Sequence, residues 1–512
     1  MNAALKSLLY SPRRLAGYVV GPAFCLFLIF FTDLEPGKPA VTYTLAVGLF
    51  MAVLWITEII PLAATSLLPV VLFPILGIMD GREVSSTYFN HVIFLFIGGF
   101  LVALAMQKWN LHKRIALRIL MLTGARPGSI LMGFMLSTAF ISMWMSNTAT
   151  AMMMIPILLS VLQNLEETIE EKVIAKYSVG MLLGVAYSAS IGGIATLVGT
   201  PPNLSFVRIF QIMFPQAPEV SFATWMLYAL PIAICVFLFT WWWLYFRFGP
   251  RKGQWSPLEK TVFKNQYKAL GPMRFEEKFI LADFILLAIL WMTRSNLDFN
   301  EFTIPGWSVL FDNPEYVNDG TVAILMSVIL FFIPSKSEKG QQILTWEVAG
   351  KLPWHIVLLF GGGFALATAF AQSGLSAWIG GQLKWISNLH PIFIILMISL
   401  LVMMLTELTS NTATTEMILP ILAGLSVSIE INPLFLMLPA TLSASMAFMM
   451  PVATPPNAII FGTNRITIAE MAKTGLIINL VSAVIITLFT YFMIGPVFNH
   501  AGLALPAWAI HP

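Results

Sequence analysis

The string SNTAT occurs twice in this chain, at residues 146–150 and 410–414, each time inside a long apolar run. Around the two copies, hydroxyls and carboxamides fall at matched places: Ser142, Ser146 and Asn147 in the first, Thr406, Thr409 and Asn411 in the second. Oxygen donors of this kind suit a hard cation such as sodium. A lone Ser or Thr in a membrane helix usually bonds only its own backbone or a neighbouring helix. Recurrence in register is what singles these residues out. Each copy is followed by a second polar interruption, Gly199-Thr200-Pro201-Pro202-Asn203 and Ala453-Thr454-Pro455-Pro456-Asn457. Paired prolines remove backbone donors and stop a continuous helix. Non-helical backbone at membrane depth is tolerated only where it lines a cavity or is buried in protein. Carbonyls freed there can coordinate a cation, and freed helix N-termini can face an anion. No nucleophile with a nearby base, and no metal-binding set of His, Asp and Glu, gathers at these places, which argues against an intramembrane enzyme. Two separate clusters at mid-membrane also suit occlusion and release better than a passive pore.

These motifs belong to an internal repeat. Residues 91–162 align with 355–426 at a constant offset of 264, without a gap, giving 22 identities in 72 positions, among them His91/His355, Gly98-Gly99/Gly362-Gly363 and Pro156/Pro420. The chain has 512 residues, 58% hydrophobic and 10% charged, with mean hydropathy +0.83, which places it among polytopic membrane proteins. The formal charge of +3 comes from basic residues spread over short loops and gives no sign of nucleic-acid binding. Cys25 and Cys235 both lie in apolar stretches and imply no disulfide framework.

The elements that must position the motifs are read from apolar length. Spans are expected near 15–32 (a retained helix, not a signal peptide), 40–59, 62–79 and 91–107, and an interfacial basic helix over 108–120. Residues 128–163 are too long for one span and too short for two with a loop, so a re-entrant hairpin with SNT at its tip is expected. An acidic-basic loop (164–176) leads to a span at 178–198 that breaks at 199–203, a half-helix to 214, and a span at 224–246. Loop 247–278 carries eight Lys/Arg. Spans at 279–293, 318–334 and 355–371, an interfacial segment (375–388), a second hairpin (391–429), a span at 433–452 broken at 453–457 and a last span at 474–497 follow. The expected fold is therefore all-α, with eleven transmembrane helices and two re-entrant hairpins.

With the N-terminus cytoplasmic, 23 of the 28 Lys/Arg fall on the cytoplasmic side, leaving Lys38, Arg82, Arg208, Arg294 and Lys384. In this layout the two repeats run in opposite directions, an inverted-topology arrangement known in secondary transporters. Three intramembrane acids stand out. Glu58 at a span end reads as an interfacial ion pair. Glu407 is placed to orient the second tip through backbone N–H groups. Glu416, whose repeat partner is Met152, breaks the symmetry and is read as a source of pH sensitivity.

At these residues the chain resembles the divalent anion:sodium symporters, the sodium-coupled di- and tricarboxylate transporters. The resemblance rests on two Ser-Asn-Thr tips, each followed by a broken helix reading GTPPN or ATPPN, and spans essentially the whole chain. It implies a first sodium site at Ser142, Ser146, Asn147 and the backbone of Gly199, and a second at Thr406, Thr409, Asn411 and the backbone of Ala453. It implies substrate contacts from Asn147, Thr148, Thr200, Asn411, Thr412, Thr454 and Pro455. It also implies scaffold segments at 1–125 and 248–390, transport-domain segments at 126–247 and 391–512, elevator motion and a homodimer. The expected activity is sodium-coupled symport of C4-dicarboxylates such as succinate, fumarate and malate. A dicarboxylate or citrate exchanger is the alternative. The protein is expected in the plasma (inner) membrane with its C-terminus external.

Overall fold

The computed structural model describes residues 15–167, 169–251, 253–255, 261–299, 302–498 and 502–510. The expectations for Lys6, Arg13, Arg14, Lys252, Lys260 and the N-terminal end lie outside these residues. Among the described residues, seven helices are long and apolar enough to cross a membrane, and six apolar helical segments of 10–17 residues accompany them. The described chain is helical apart from its connections and one small hairpin, Leu297–Phe299 paired antiparallel with Phe302–Ile304, in the loop between the spans expected at 279–293 and 318–334. That loop is tied down. Arg294, buried, meets Asp319 at 2.5 Å and Glu219 at 2.7 Å, so one basic residue on the unexpected side has its charge matched by two carboxylates.

At both SNT sequences the chain forms a helix-turn-helix pair. The first has arms Pro127–Ser142 and Asn147–Glu166, the second Pro391–Thr406 and Asn411–Ser428. Each first arm has 16 residues and is about 24 Å long, short of a ~30 Å hydrocarbon core, whereas the second arm Asn147–Glu166, with 20 residues, is long enough to cross one. Proline opens each first arm, where its missing N–H costs nothing. The first broken helix comprises Glu171–Ile194 and Pro201–Met213, the second Leu434–Ala444 and Pro455–Phe461.

The hairpins point in opposite directions along the bundle. At the base of the first, the Tyr177 hydroxyl donates to Pro127 O (2.7 Å), beside the start of the first broken helix. Near the far end of that same helix, Phe210 and Phe214 pack on Trp508, in the segment whose Leu503 O accepts from Asn432 N at the base of the second hairpin. The second broken helix runs the other way: beyond its half-helix, Arg465 pairs at 2.5 Å with Glu166, which ends the first hairpin.

Several expectations needed correction. The apolar run 62–79 is not one span but two short helices, Leu62–Thr65 and Leu68–Ile75, parted at Ser66-Leu67, with Pro69 in the first turn of the second. The charged stretch 164–176 is mostly helical, since Glu166 ends one helix and Glu171 begins the next. The span expected over 433–452 stops at Ala444. The basic helix Leu111–Thr123 does not keep all its polar groups on the outside: Arg114 is buried against Glu277 (2.9 Å) and the Gly271 carbonyl (3.1 Å). Burial also lowers the buried His112 imidazole to about 4. Glu58 makes no ion pair among the described residues; it ends its helix in a left-handed conformation (φ 48°).

Candidate functional site

Each hairpin turns through four residues, and each tip presents one hydroxyl to two acceptors. Ser142 Oγ lies 2.7 Å from Asn147 Oδ1 and 2.7 Å from Ala189 O. Thr406 Oγ1 lies 2.7 Å from Asn411 Oδ1 and 2.7 Å from Ala444 O. A single O–H donates to one acceptor at a time, so each corner gathers three oxygens around one proton. Local sequence explains the geometry. Ser142 and Thr406 are the last helical residues of the first arms, and Asn147 and Asn411 the first of the second arms, five residues on. Ser146 caps its arm by accepting from Ala149 N (3.2 Å), whereas Ser410 makes no such cap bond.

The breaks wrap these corners. A Cβ placed on Gly193 would sit 2.6 Å from Asn147 Oδ1 and 3.2 Å from Gly199 O. Only a glycine admits that approach. The break itself is stitched by the Asn of the PPN motif, because buried carbonyls without helix donors need another partner. Asn203 Nδ2 donates to Gly193 O (3.1 Å) and Thr196 O (2.7 Å), and Asn457 Nδ2 donates to Ala447 O (3.0 Å) and Met450 O (3.1 Å). These residues are related by a constant offset of 254. Sequence reasoning missed Asn203 and Asn457 as stitching groups, although the repetition of PPN carried the signal.

The expected first cation set is therefore brought together at Ser142, Asn147 and Gly199, with Ser146 committed to capping. In the second set Thr406 and Asn411 meet. Thr409 is directed elsewhere, to Leu405 O (2.9 Å) and Thr414 Oγ1 (2.5 Å), and Ala453 N bonds Met450 O (3.2 Å) within the break. Of the expected substrate contacts, no hydrogen bond holds the Thr148, Thr200 or Thr412 hydroxyl among the described residues, while Thr454 caps its half-helix through Asn457 N (3.3 Å) and Pro455 opens it. Glu407, the first residue of the second turn, bonds no backbone N–H of its own tip among the described residues. It accepts from the backbone N–H groups of Phe448 (2.8 Å), Met449 (2.8 Å) and Met450 (2.9 Å), and from Asn479 Nδ2 (2.8 Å). It holds the second break.

The two halves pack on each other by crossing over. The second arm of the first hairpin packs on the half-helix Pro455–Phe461, and the second arm of the second hairpin packs on Pro201–Met213. The Tyr187 hydroxyl spans the repeats to Phe448 O (2.7 Å). Chemically, the arrangement offers two oxygen corners for cations, threonine hydroxyls that make no hydrogen bond among the described residues, and the N-termini of both second arms for an anion.

Comparison with known proteins agrees in family and in fold. The family model described as the sodium:sulfate symporter transmembrane region matches residues 16–497. The chain is 44% identical over 496 residues to the sodium-dependent dicarboxylate transporter SdcS of Staphylococcus saprophyticus, covering 95% of this chain and 93% of that protein. It is 45% identical over 493 residues to SdcS of Staphylococcus aureus, covering 94% and 92%. Among solved structures it resembles Neisseria gonorrhoeae MtrF, described with a class of antimetabolite efflux pumps (TM-score 0.57, 11% identity, 91% of this chain and 96% of that one). It also resembles the Alcanivorax borkumensis YdaH transporter (TM-score 0.57, 12% identity, 82% and 91%). At such identities these last two bear on fold alone.

Proposed function

The chain belongs to the sodium:sulfate symporter transmembrane family, an integral-membrane transporter family and not an enzyme family, and from that premise we propose that it couples sodium entry to import of C4-dicarboxylates such as succinate, fumarate and malate. The observation that carries the reading is the pair of matched oxygen corners, Ser142–Asn147–Ala189 and Thr406–Asn411–Ala444. Each is rich in acceptors and poor in donors, which favours a hard cation. No Lys or Arg occurs in either SNTAT string or either TPPN break. A dianion between the tips would depend on helix N-termini, amides, hydroxyls and the sodium ions themselves for compensation. Sodium then binds before or with the substrate, and each raises the affinity for the other by the same factor.

In this reading the hairpins and broken helices (126–247 and 391–512) form a transport domain that moves as an elevator against a scaffold (1–125 and 248–390). The hairpins are re-entrant, the crossings number eleven, and the protein works as a homodimer in the plasma membrane with the C-terminus external. The opposed hairpins and the cross-packing of their second arms support an inverted pair enclosing one site.

The test is initial uptake of radiolabelled succinate into proteoliposomes with and without an inward sodium gradient, with unlabelled citrate and sulfate as competitors. Sodium-driven uptake blocked by excess succinate and weakly by sulfate is the expected result. Uptake independent of sodium but dependent on internal dicarboxylate would replace symport by exchange and remove both cation corners.

A further inference from the structure

Glu416 lies outside both oxygen corners, yet it is fully buried. It sits on the second arm Asn411–Ser428, six residues beyond Ser410. Its Oε1 accepts from Ser205 Oγ (3.1 Å) on the half-helix Pro201–Met213, while its Oε2 has no hydrogen-bond partner. The carboxyl is pressed onto helix Trp354–Ser373 at Gly363, where an added Cβ would lie 2.3 Å from Glu416 Cδ and 2.4 Å from Oε2. The triple glycine of that helix thus receives three different loads. Gly361 takes the Tyr88 ring, Gly362 takes Ser66, and Gly363 takes Glu416. The first two loads come from the proposed scaffold and the third from the proposed transport domain. At the equivalent place in the first half, Met152 is 60% exposed, so this contact belongs to one half alone.

Around the carboxyl, compensation is sparse. The segments packed on the second arm are Pro201–Met213, Trp354–Ser373, Pro39–Thr57, Leu375–Gln382, Pro391–Thr406 and Leu434–Ala444. The first three carry one titratable side chain besides cysteine each, Arg208, His355 and Tyr43, and the last three none. Neither Arg208 nor His355 pairs with Glu416 among the described ion pairs, and Tyr88, whose ring lies against Gly361, donates its hydroxyl to Ser66 O. An ionised carboxylate would be left here with one neutral hydroxyl, too little to replace the water it gave up. A proton on Oε2 removes the charge and leaves an isosteric neutral group against the glycine.

We propose that Glu416 is a proton-binding site on the moving face of the transport domain, and that its carboxyl enters the Gly363 notch only while it carries that proton. The sliding part of this inference rests on the elevator reading above; the proton does not. Acidification favours the docked arrangement seen here, and alkalinisation, by charging Glu416, drives it out of the notch.

Two measurements test this separately. In the infrared difference spectrum of purified wild type minus Glu416→Gln at pH 7, the carbonyl band of a protonated carboxyl group is expected; its absence overturns the proton site whether or not the protein transports succinate. In proteoliposomes under a fixed inward sodium gradient, the ratio of wild-type to Glu416→Gln succinate uptake should change about threefold or more between pH 6 and pH 8, since only the wild type can lose the proton. Parallel pH profiles overturn the coupling of the proton to movement. Gly363→Ala fills the notch and should slow uptake, and adding Glu416→Ala to it should restore part of the rate; no restoration overturns the contact. Should no variant show sodium-driven uptake while the infrared band is present, the transport reading fails and the proton site stands.

Discussion

The two helix breaks are built on one plan and differ by a turn. In the first half the helix runs to Ile194 and the chain is irregular over 195–200 before Pro201; in the second it stops at Ala444 and is irregular over 445–454 before Pro455. At the offset of 254 that relates Asn203 to Asn457, Ile194 corresponds to Phe448, so the second helix ends four residues early, about one turn. What fills the place of the lost turn is different chemistry. In the first half the Thr196 hydroxyl bonds the Met143 carbonyl; in the second, Glu407, which replaces Met143 in the repeat, takes three consecutive backbone N–H groups that the unwound turn sets free. The corners differ as a result. Ala189 lies within its helix, so its carbonyl is shared with the helical ladder, whereas Ala444 is the last residue of its helix and its carbonyl accepts only Thr406 among the described hydrogen bonds. The second corner should bind a cation with a carbonyl the first corner has only in part.

The comparison can be broken most easily at Glu407. Glu407→Ala strands three backbone donors and Asn479 in the interior, and should cost at least ~3 kcal/mol, seen as a large fall in the thermal unfolding midpoint in detergent. A small shift would mean that the second break does not depend on its carboxylate. Next are the corners. Asn147→Ala and Asn411→Ala should each reduce sodium-driven succinate uptake by roughly 100-fold at limiting sodium, matching ~3 kcal/mol of lost charge-assisted ligation. Among milder variants, Thr406→Val should raise the half-saturating sodium concentration more than Ser142→Ala does; the reverse order would contradict the carbonyl argument.

Away from the site, the halves differ at His112, whose repeat partner is Ser376. The imidazole is held neutral by burial, at about 4 when folded against ~6.5 when unfolded, so the unfolded chain binds the extra proton between those values. Stability is fully present above the unfolded value and falls as pH drops toward 4; at pH 5 the loss is about 2 kcal/mol. His112→Gln should abolish that share of the acid sensitivity in pH-dependent unfolding, and an unchanged acid limb would show that His112 does not set it. The smallest effect is expected from Thr196→Val, about 1 kcal/mol, because one hydroxyl bond and no charge is lost. If it matched Glu407→Ala, the two breaks would be energetically alike after all.

Much of this was legible in the residues. The gapless repeat, the twice-written SNTAT and the paired prolines give the hairpins and the breaks, because proline and the register of a repeat act locally. Ser142 with Asn147 and Thr406 with Asn411 were legible as candidate ligands from their matched places and the family resemblance; that each hydroxyl meets its carboxamide directly is set by the four-residue turn. The direction of Thr409 was not, because its hydroxyl turns to Thr414 and the Leu405 carbonyl, a choice of rotamer that spacing leaves open. The run 62–79 misled because apolar length measures hydrophobicity and not continuity; Pro69, which lacks the N–H that would carry the first helix into the second, decides that. Arg114 and Glu277 misled for a different reason, since two charges on separate helices pair inside only when those helices are packed together.

The sequence by itself determined that this is a polytopic membrane protein of two related halves, each with a polar tip and a broken helix. Those properties reside in composition, spacing and local backbone chemistry. Only the tertiary structure decided that the second arm of each hairpin packs on the half-helix of the opposite repeat, that Glu407 ties its tip to the second break, and that Glu416 faces a glycine of a helix more than forty residues before it. Those are contacts between distant segments, set by which faces of the helices the fold brings together, and no local rule contains them.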